Sequence, residues 1–115
     1  ARSLAFYRLL GFTEVAWYEG PGVAILRNAA GLELNLVVNA VEGDGTNVLM
    51  DVPVKHPGLT HVAFLVADVH ATLASLQALG VAVSEGPVAL GDGYVALFVR
   101  DPDRNVIELG QRLGS

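Results

Sequence analysis

The chain repeats itself. Gly11 of Leu10-Gly11-Phe12 and Gly80 of Leu79-Gly80-Val81 stand 69 residues apart, and at that offset Leu4 meets Leu73 and Ala5 meets Ala74. Further on, Leu32-Glu33-Leu34 meets Ile107-Glu108-Leu109 at an offset of 75, so the second copy carries 6 more residues between its helix and its last strand. Two helices of common composition can match by chance. Two Glu-bearing strands in the same order make duplication the better account, and a duplicated unit constrains the fold more than any other feature. The second copy opens with an apolar strand at 60–67, Thr60-His61-Val62-Ala63-Phe64-Leu65-Val66-Ala67, whose first-copy counterpart would lie upstream of residue 1. The expectation is a chain that starts inside a repeat, with the first strand of unit one absent.

Periodicity and turn residues give each unit the same order of elements. Residues 1–10 carry apolar side chains close to a helical stripe, and Gly11 sits where a C-terminal glycine belongs. In the second copy Asp68 is placed to cap a helix over 69–79, with Val69, Leu73, Leu76 and Leu79 on one face and Gly80 ending it. Three β-like stretches follow each helix, at 12–18, 23–28 and 32–39, and at 81–84, 93–100 and 105–111. They are separated by Gly20-Pro21-Gly22, 28–31, Glu85-Gly86-Pro87, Gly91-Asp92-Gly93 and Asp101-Pro102-Asp103. The reading is α+β, one domain over 1–115 with unit one at 1–40, a linker at 41–59 and unit two at 60–115. The linker carries a Glu42-Gly43-Asp44-Gly45 turn and a short strand at 47–52.

Composition narrows the function classes. At 115 residues and 52% hydrophobic content, two half-domains sharing one core fit the size better than two independent domains. Seven basic against twelve acidic residues, with no basic run, make nucleic acid an unsuitable partner. No apolar stretch approaches the ~18 residues of a membrane span, and no secretory leader pattern opens the chain, so a cytoplasmic protein is the expectation. With no cysteine there is no disulfide, thiolate nucleophile or Cys-based zinc site. No phosphate loop, nucleophile elbow or dinucleotide fingerprint is present.

The chemistry lies in the alternation of three strands. In Leu32-Glu33-Leu34-Asn35-Leu36 the leucines share one face, and Glu33 shares the other with Asn35. His61 lies opposite Val62, Phe64 and Val66, and Glu108 points away from Ile107 and Leu109. A lone His or Glu in a strand is usually solvent-facing. Three of them, at equivalent places in a repeat, can project into a cup on the side of the sheet away from the helices. Carboxylates close together in a partly dry cup repel one another, and a divalent cation removes that conflict. Imidazole and carboxylate donors suit Zn, Ni, Co, Fe or Mn better than Ca. Arg27 and Arg100 end comparable strands and are candidates for binding an anionic group, as Asn35 is for a substrate oxygen. Trp17, Tyr94 and Phe98 are candidates for lining the cup, although core packing is the commoner use of strand aromatics. His56 and His70 read as a loop and a surface histidine.

Two stretches, Gly58-Leu59-Thr60-His61-Val62-Ala63-Phe64 with Val66-Ala67-Asp68, and the run 94–109 containing Arg100-Asp101-Pro102-Asp103-Arg104-Asn105-Val106-Ile107-Glu108-Leu109, resemble the vicinal oxygen chelate superfamily. That superfamily includes glyoxalase I, extradiol dioxygenases, methylmalonyl-CoA epimerase, fosfomycin-modifying enzymes and bleomycin-binding proteins. Residues 2–12 look like its first helix, and the resemblance covers nearly the whole chain. It implies two βαβββ units forming a rolled, incomplete barrel-like sheet with helices outside. It also implies a metal held by the first and last strands of each unit, with Glu33, His61 and Glu108 as ligands. A fourth, commonly His or Gln, would sit on the absent strand. Either that strand lies upstream, or three protein ligands and water complete the site, or another chain fills the open edge. The first is expected, because a helix without its preceding strand leaves a sheet edge uncovered. Arg104 replaces the glycine usual before Asn105, a change expected to alter a turn more than the site.

The function this implies is that of a glyoxalase I-like enzyme, a lyase or isomerase. It would act on a small carbonyl compound or its thiol adduct through a metal-stabilised enediolate, with Glu33 or Glu108 moving the proton. One carboxylate per unit favours this over an extradiol dioxygenase with two His and one Glu on iron. The alternative from another class is a metal-free protein that sequesters an antibiotic or aromatic ligand. A homodimer is expected in either case.

Overall fold

A computed structural model describes residues 2–38, 46–47, 51–54 and 57–114. The chain divides into two compact units, Ala1–Asp44 and Gly45–Ser115. Unit one runs α1 (Arg2–Leu9), β1 (Thr13–Tyr18), β2 (Val23–Arg27) and β3 (Glu33–Val37). Unit two runs β4 (His61–Leu65), α2 (Val69–Ala78), β5 (Val83–Ala89), β6 (Tyr94–Arg100) and β7 (Val106–Arg112). The class is α+β, as the sequence indicates. The linker turn at 42–45, the strand expected at 47–52 and His56 fall wholly or partly outside the described residues.

The duplication is visible in the hydrogen bonds that end the helices. Phe12 N–H donates to the Tyr7 carbonyl at 3.1 Å and Gly11 N–H to that of Arg8 at 3.1 Å. Val81 N–H donates to the Leu76 carbonyl at 2.9 Å and Gly80 N–H to that of Gln77 at 3.1 Å. Both are Schellman closures, in which the residue after the helix must turn left-handed. Gly11 at φ +95° and Gly80 at φ +76° meet that demand. Asp68 caps α2 as expected, its Oδ1 accepting from the backbone N–H groups of His70 and Ala71 at 3.0 and 3.2 Å.

In unit one the strands form an antiparallel sheet in the order β1-β2-β3. Among the described residues of unit one the buried hydrophobic side chains are Tyr7, Phe12, Ala24 and Leu26, and the Tyr7 and Phe12 rings meet edge-on. A bulge between Glu14 and Ala16 shifts the phase of β1, so that Trp17 pairs with Ala24. Trp17 therefore lies on the Ala24 face and not, as expected, with Glu33 and Asn35, which pair with Arg27 and Ile25 on the opposite face.

In unit two the order is β4-β7-β6-β5, with β4 parallel to β7 and the other pairs antiparallel. Leu97 pairs with Leu109 and Val99 with Ile107, and all four are buried. They share a face with Gln111, whose Oε1 accepts from Val69 N–H at 2.9 Å, which identifies the side covered by α2. The opposite face carries Tyr94, Ala96, Phe98 and Arg100 from β6 and Val106, Glu108, Gly110 and Arg112 from β7. The parallel register adds His61, Ala63 and Leu65 from β4 to that face.

One expectation is corrected here. Glu85-Gly86-Pro87 lies inside β5 and not between strands. Register shifts between Val83 and Glu85 and between Glu85 and Val88 absorb it, and Pro87 is tolerated because β5 ends the row of strands. Gly86 has φ +85°, and a Cβ there would stand 2.6 Å from the Ala96 carbonyl oxygen, so glycine alone fits.

Candidate functional site

On the face of the unit-two sheet away from α2, the two predicted donors of that unit come together, with Tyr94 and Phe98 beside them. His61 opens β4, Glu108 is the third residue of β7, and His61 Nε2 stands 3.1 Å from Glu108 Oε1. The Glu108 side chain is 11% exposed and that of His61 31%, so the pair is recessed yet reachable from solvent. The Phe98 ring, buried, pairs across from Glu108 and lies 6.3 Å from the His61 ring, giving the pair an apolar wall.

Both donors are held from behind. Glu108 Oε2 accepts a hydrogen bond of 2.6 Å from the Tyr94 hydroxyl. The hydrogen bond to Glu108, reinforced by burial, raises the Tyr94 phenol above its usual pKa, so the group is a proton donor at neutral pH. His61 Nδ1 lies 3.0 Å from Thr60 Oγ1. A hydroxyl both donates and accepts, so Thr60 suits either imidazole tautomer. With Nε2–H donated to the Glu108 carboxylate, Thr60 O–H donates to Nδ1. With Nε2 bare, Nδ1–H donates to Thr60 Oγ1 and leaves the Nε2 lone pair for a cation.

The other predicted residues lie within their own units. Glu33, at the start of β3, accepts from Arg27 Nη2 at 3.0 Å in an exposed ion pair within unit one. Asn35 is exposed one pleat further on the same face. Arg100 is committed to Asp51, its two terminal nitrogens donating to the two carboxylate oxygens at 2.9 and 3.0 Å. That pairing, with a further hydrogen bond from Asn47 N–H, holds Asp51 down at about 2 and raises Arg100. His70 lies exposed on α2.

Sequence reasoning missed Thr60, Asp51 and Gly110. Thr60 had a signal in standing next to the histidine. Gly110 had one in being a glycine within a strand, which marks a close approach of another group. Asp51 had none, because it meets Arg100 across 49 residues with no local pattern.

His61 and Glu108 suit a borderline divalent cation by donor type. Their 3.1 Å separation is close to the ligand-to-ligand edge of roughly 3.3 Å that tetrahedral coordination at Zn–N and Zn–O lengths implies. Among the described residues, no group of three or more His, Asp or Glu converges to hold a metal ion. Among the same residues, no helix is long and apolar enough to cross a membrane.

With this geometry in view, the comparisons with known proteins fix the family. The chain belongs to the Glyoxalase/Bleomycin resistance protein/Dioxygenase superfamily, whose model matches residues 1–109. Similar solved structures include a glyoxalase/dioxygenase from Nostoc punctiforme, at 19% identity and TM-score 0.74, covering 98% of this chain and 83% of that one. A glyoxalase family protein from Bacillus cereus matches at 19% identity and TM-score 0.70, over 98% of this chain and 86% of that one. A lactoylglutathione lyase from Agrobacterium tumefaciens matches at 21% identity and TM-score 0.65, over 96% and 83%. At these identities the likeness establishes the fold. A comparison with curated proteins gave no significant match.

Proposed function

We propose that the protein is a metal-dependent enzyme of the glyoxalase I type, acting on a small carbonyl compound or its thiol adduct. The observation that carries this is the His61–Glu108 pair, an imidazole and a carboxylate 3.1 Å apart on adjacent parallel strands. His61 through Nε2 and Glu108 through Oε1 would hold the cation. A divalent ion there supplies Lewis acidity, polarising a carbonyl oxygen and acidifying the neighbouring C–H.

This chain's own residues supply the rest. Glu108 is the group at hand to move the proton from that carbon to the neighbouring one, which it would do through Oε1 when that oxygen is off the cation, since Oε2 is engaged by the Tyr94 hydroxyl. The Phe98 wall excludes water from one side of the carboxylate, and a drier site strengthens its interaction with any positive charge placed before it. Thr60 accepts or donates at His61 Nδ1 as Nε2 changes role.

The test is metal content per chain by elemental analysis, for the wild type and for His61→Ala, Glu108→Ala and Glu33→Ala. Near-stoichiometric transition metal, lost in the His61 and Glu108 variants, is the expected result, together with isomerisation of 2-oxoaldehyde hemithioacetals that disappears in parallel. The Glu33 variant decides whether that carboxylate serves the same centre. Metal-free protein that takes up none when it is added would sink the enzyme reading and leave ligand sequestration in its place.

A further inference from the structure

Gly110 is the one glycine within β7, and the Tyr94 ring accounts for it. A Cβ at position 110 would overlap the hydroxyl end of that ring, so the backbone of β7 forms the surface on which the ring rests. From that seat the hydroxyl reaches Glu108 Oε2 at 2.6 Å, while the Arg112 guanidinium lies over the ring 5.9 Å from its centroid. Tyr94 also packs against the cluster of Ala96, Phe98 and Val106, so its position is fixed by contacts on more than one side.

A glutamate has three side-chain torsions, and the last is broad, so its carboxylate does not by itself choose which oxygen faces a neighbour. Here the choice is made. Oε2 is engaged by Tyr94 and Oε1 faces His61 Nε2. We propose that Tyr94, seated on Gly110, is a positioning residue for Glu108, holding back one carboxylate oxygen so that the other alone is presented beside His61. The proposal rests on the metal-site reading above for its functional meaning, and on unit-two geometry alone for its structural content. A carboxylate held in this way would offer a cation one oxygen, Oε1, beside His61 Nε2. Groups that orient a ligand from behind typically contribute 10–100-fold in metal affinity.

Two substitutions separate the parts of the device. Tyr94→Phe keeps the ring on its seat and removes the hydroxyl. Gly110→Ala keeps the hydroxyl and evicts the ring. The full chain is titrated with Co(II), following its visible ligand-field absorption, with thermal melts verifying that each variant is folded. Wild-type protein should bind with a defined spectrum. Tyr94→Phe, and Gly110→Ala where folded, should bind about 10–100-fold more weakly with altered bands, a change that a purely structural tyrosine would not produce. Equal affinity and an unchanged spectrum in Tyr94→Phe would overturn the proposal. If the wild type takes up no Co(II), the metal reading fails, and crystal structures of the metal-free wild type and Tyr94→Phe decide the positioning role. A Glu108 carboxylate that leaves His61 in the variant upholds it; one that stays in place refutes it.

Discussion

Arg104 has φ +69°, the only non-glycine residue among those described with a left-handed backbone. It sits in the β6–β7 turn, where its N–H donates to the Asp101 carbonyl at 2.9 Å and its own carbonyl accepts from Asn47 Nδ2 at 3.3 Å. Both bonds use backbone atoms and survive any substitution that keeps the conformation. The side chain is exposed. Replacing it with glycine relieves a left-handed penalty of about 1–2 kcal/mol. Against this stands about 0.5–1 kcal/mol for the greater freedom of glycine in the unfolded chain. Arg104→Gly should therefore stabilise the protein by about 0.5–1 kcal/mol, raising the urea midpoint by about 0.5 M with the slope unchanged. Arg104→Ala is the control, since it removes the charge and keeps the Cβ that causes the strain; its midpoint should stay near that of the wild type. Urea titration followed by circular dichroism reads both. A glycine variant no more stable than the parent, or an alanine variant that gains as much, would refute the reasoning.

Two further outcomes follow from the same end of unit two. The buried Asp101 carboxylate accepts from Asp103 N–H, Asn105 N–H and Asn105 Nδ2 at 3.0, 2.8 and 2.8 Å, so Asp101→Ala strands several donors and should cost about 3 kcal/mol in chemical denaturation, with Asp101→Asn costing less. Asp51 has a folded pKa of about 2 against an ordinary 3.8, so the stability it contributes is complete above the higher value and is lost as the pH falls through the lower. Melting temperatures of wild type and Asp51→Asn should accordingly converge between about pH 4 and pH 2, and a constant gap would contradict the pairing with Arg100.

Much of this arrangement was legible because the signals are local. The glycines that align the repeat are the ones that close both helices, and Asp68 caps α2 through its nearest neighbours. The period-two faces of β4 and β7 put His61 and Glu108 on one side of a sheet, and a parallel register then brings them together. What escaped was non-local or broke the period. A bulge in β1 carries Trp17 to the other face, and two irregularities let β5 continue through a Gly-Pro pair that reads as a turn. The engagement of Arg100 by Asp51 depends on how a linker lies against β6, which no periodicity encodes. The glycine replaced by Arg104 pointed to the turn that the left-handed backbone now explains.

The parallel pairing of β4 with β7 also sets an order of assembly. β5, β6 and β7 form consecutive hairpins, whose local closures are quick, whereas β4 is joined to β7 only by a contact spanning the whole of unit two, His61 and Glu108 being 47 residues apart in sequence. We therefore expect the imidazole and carboxylate to become neighbours late in folding and to separate early in unfolding, with β4, an end strand of the row, peeling away. A cation bridging them would act as a latch on that strand. Amide hydrogen exchange in β4 is then the place where loading of the site would register, as slowed local opening while the hairpins behind it exchange as before.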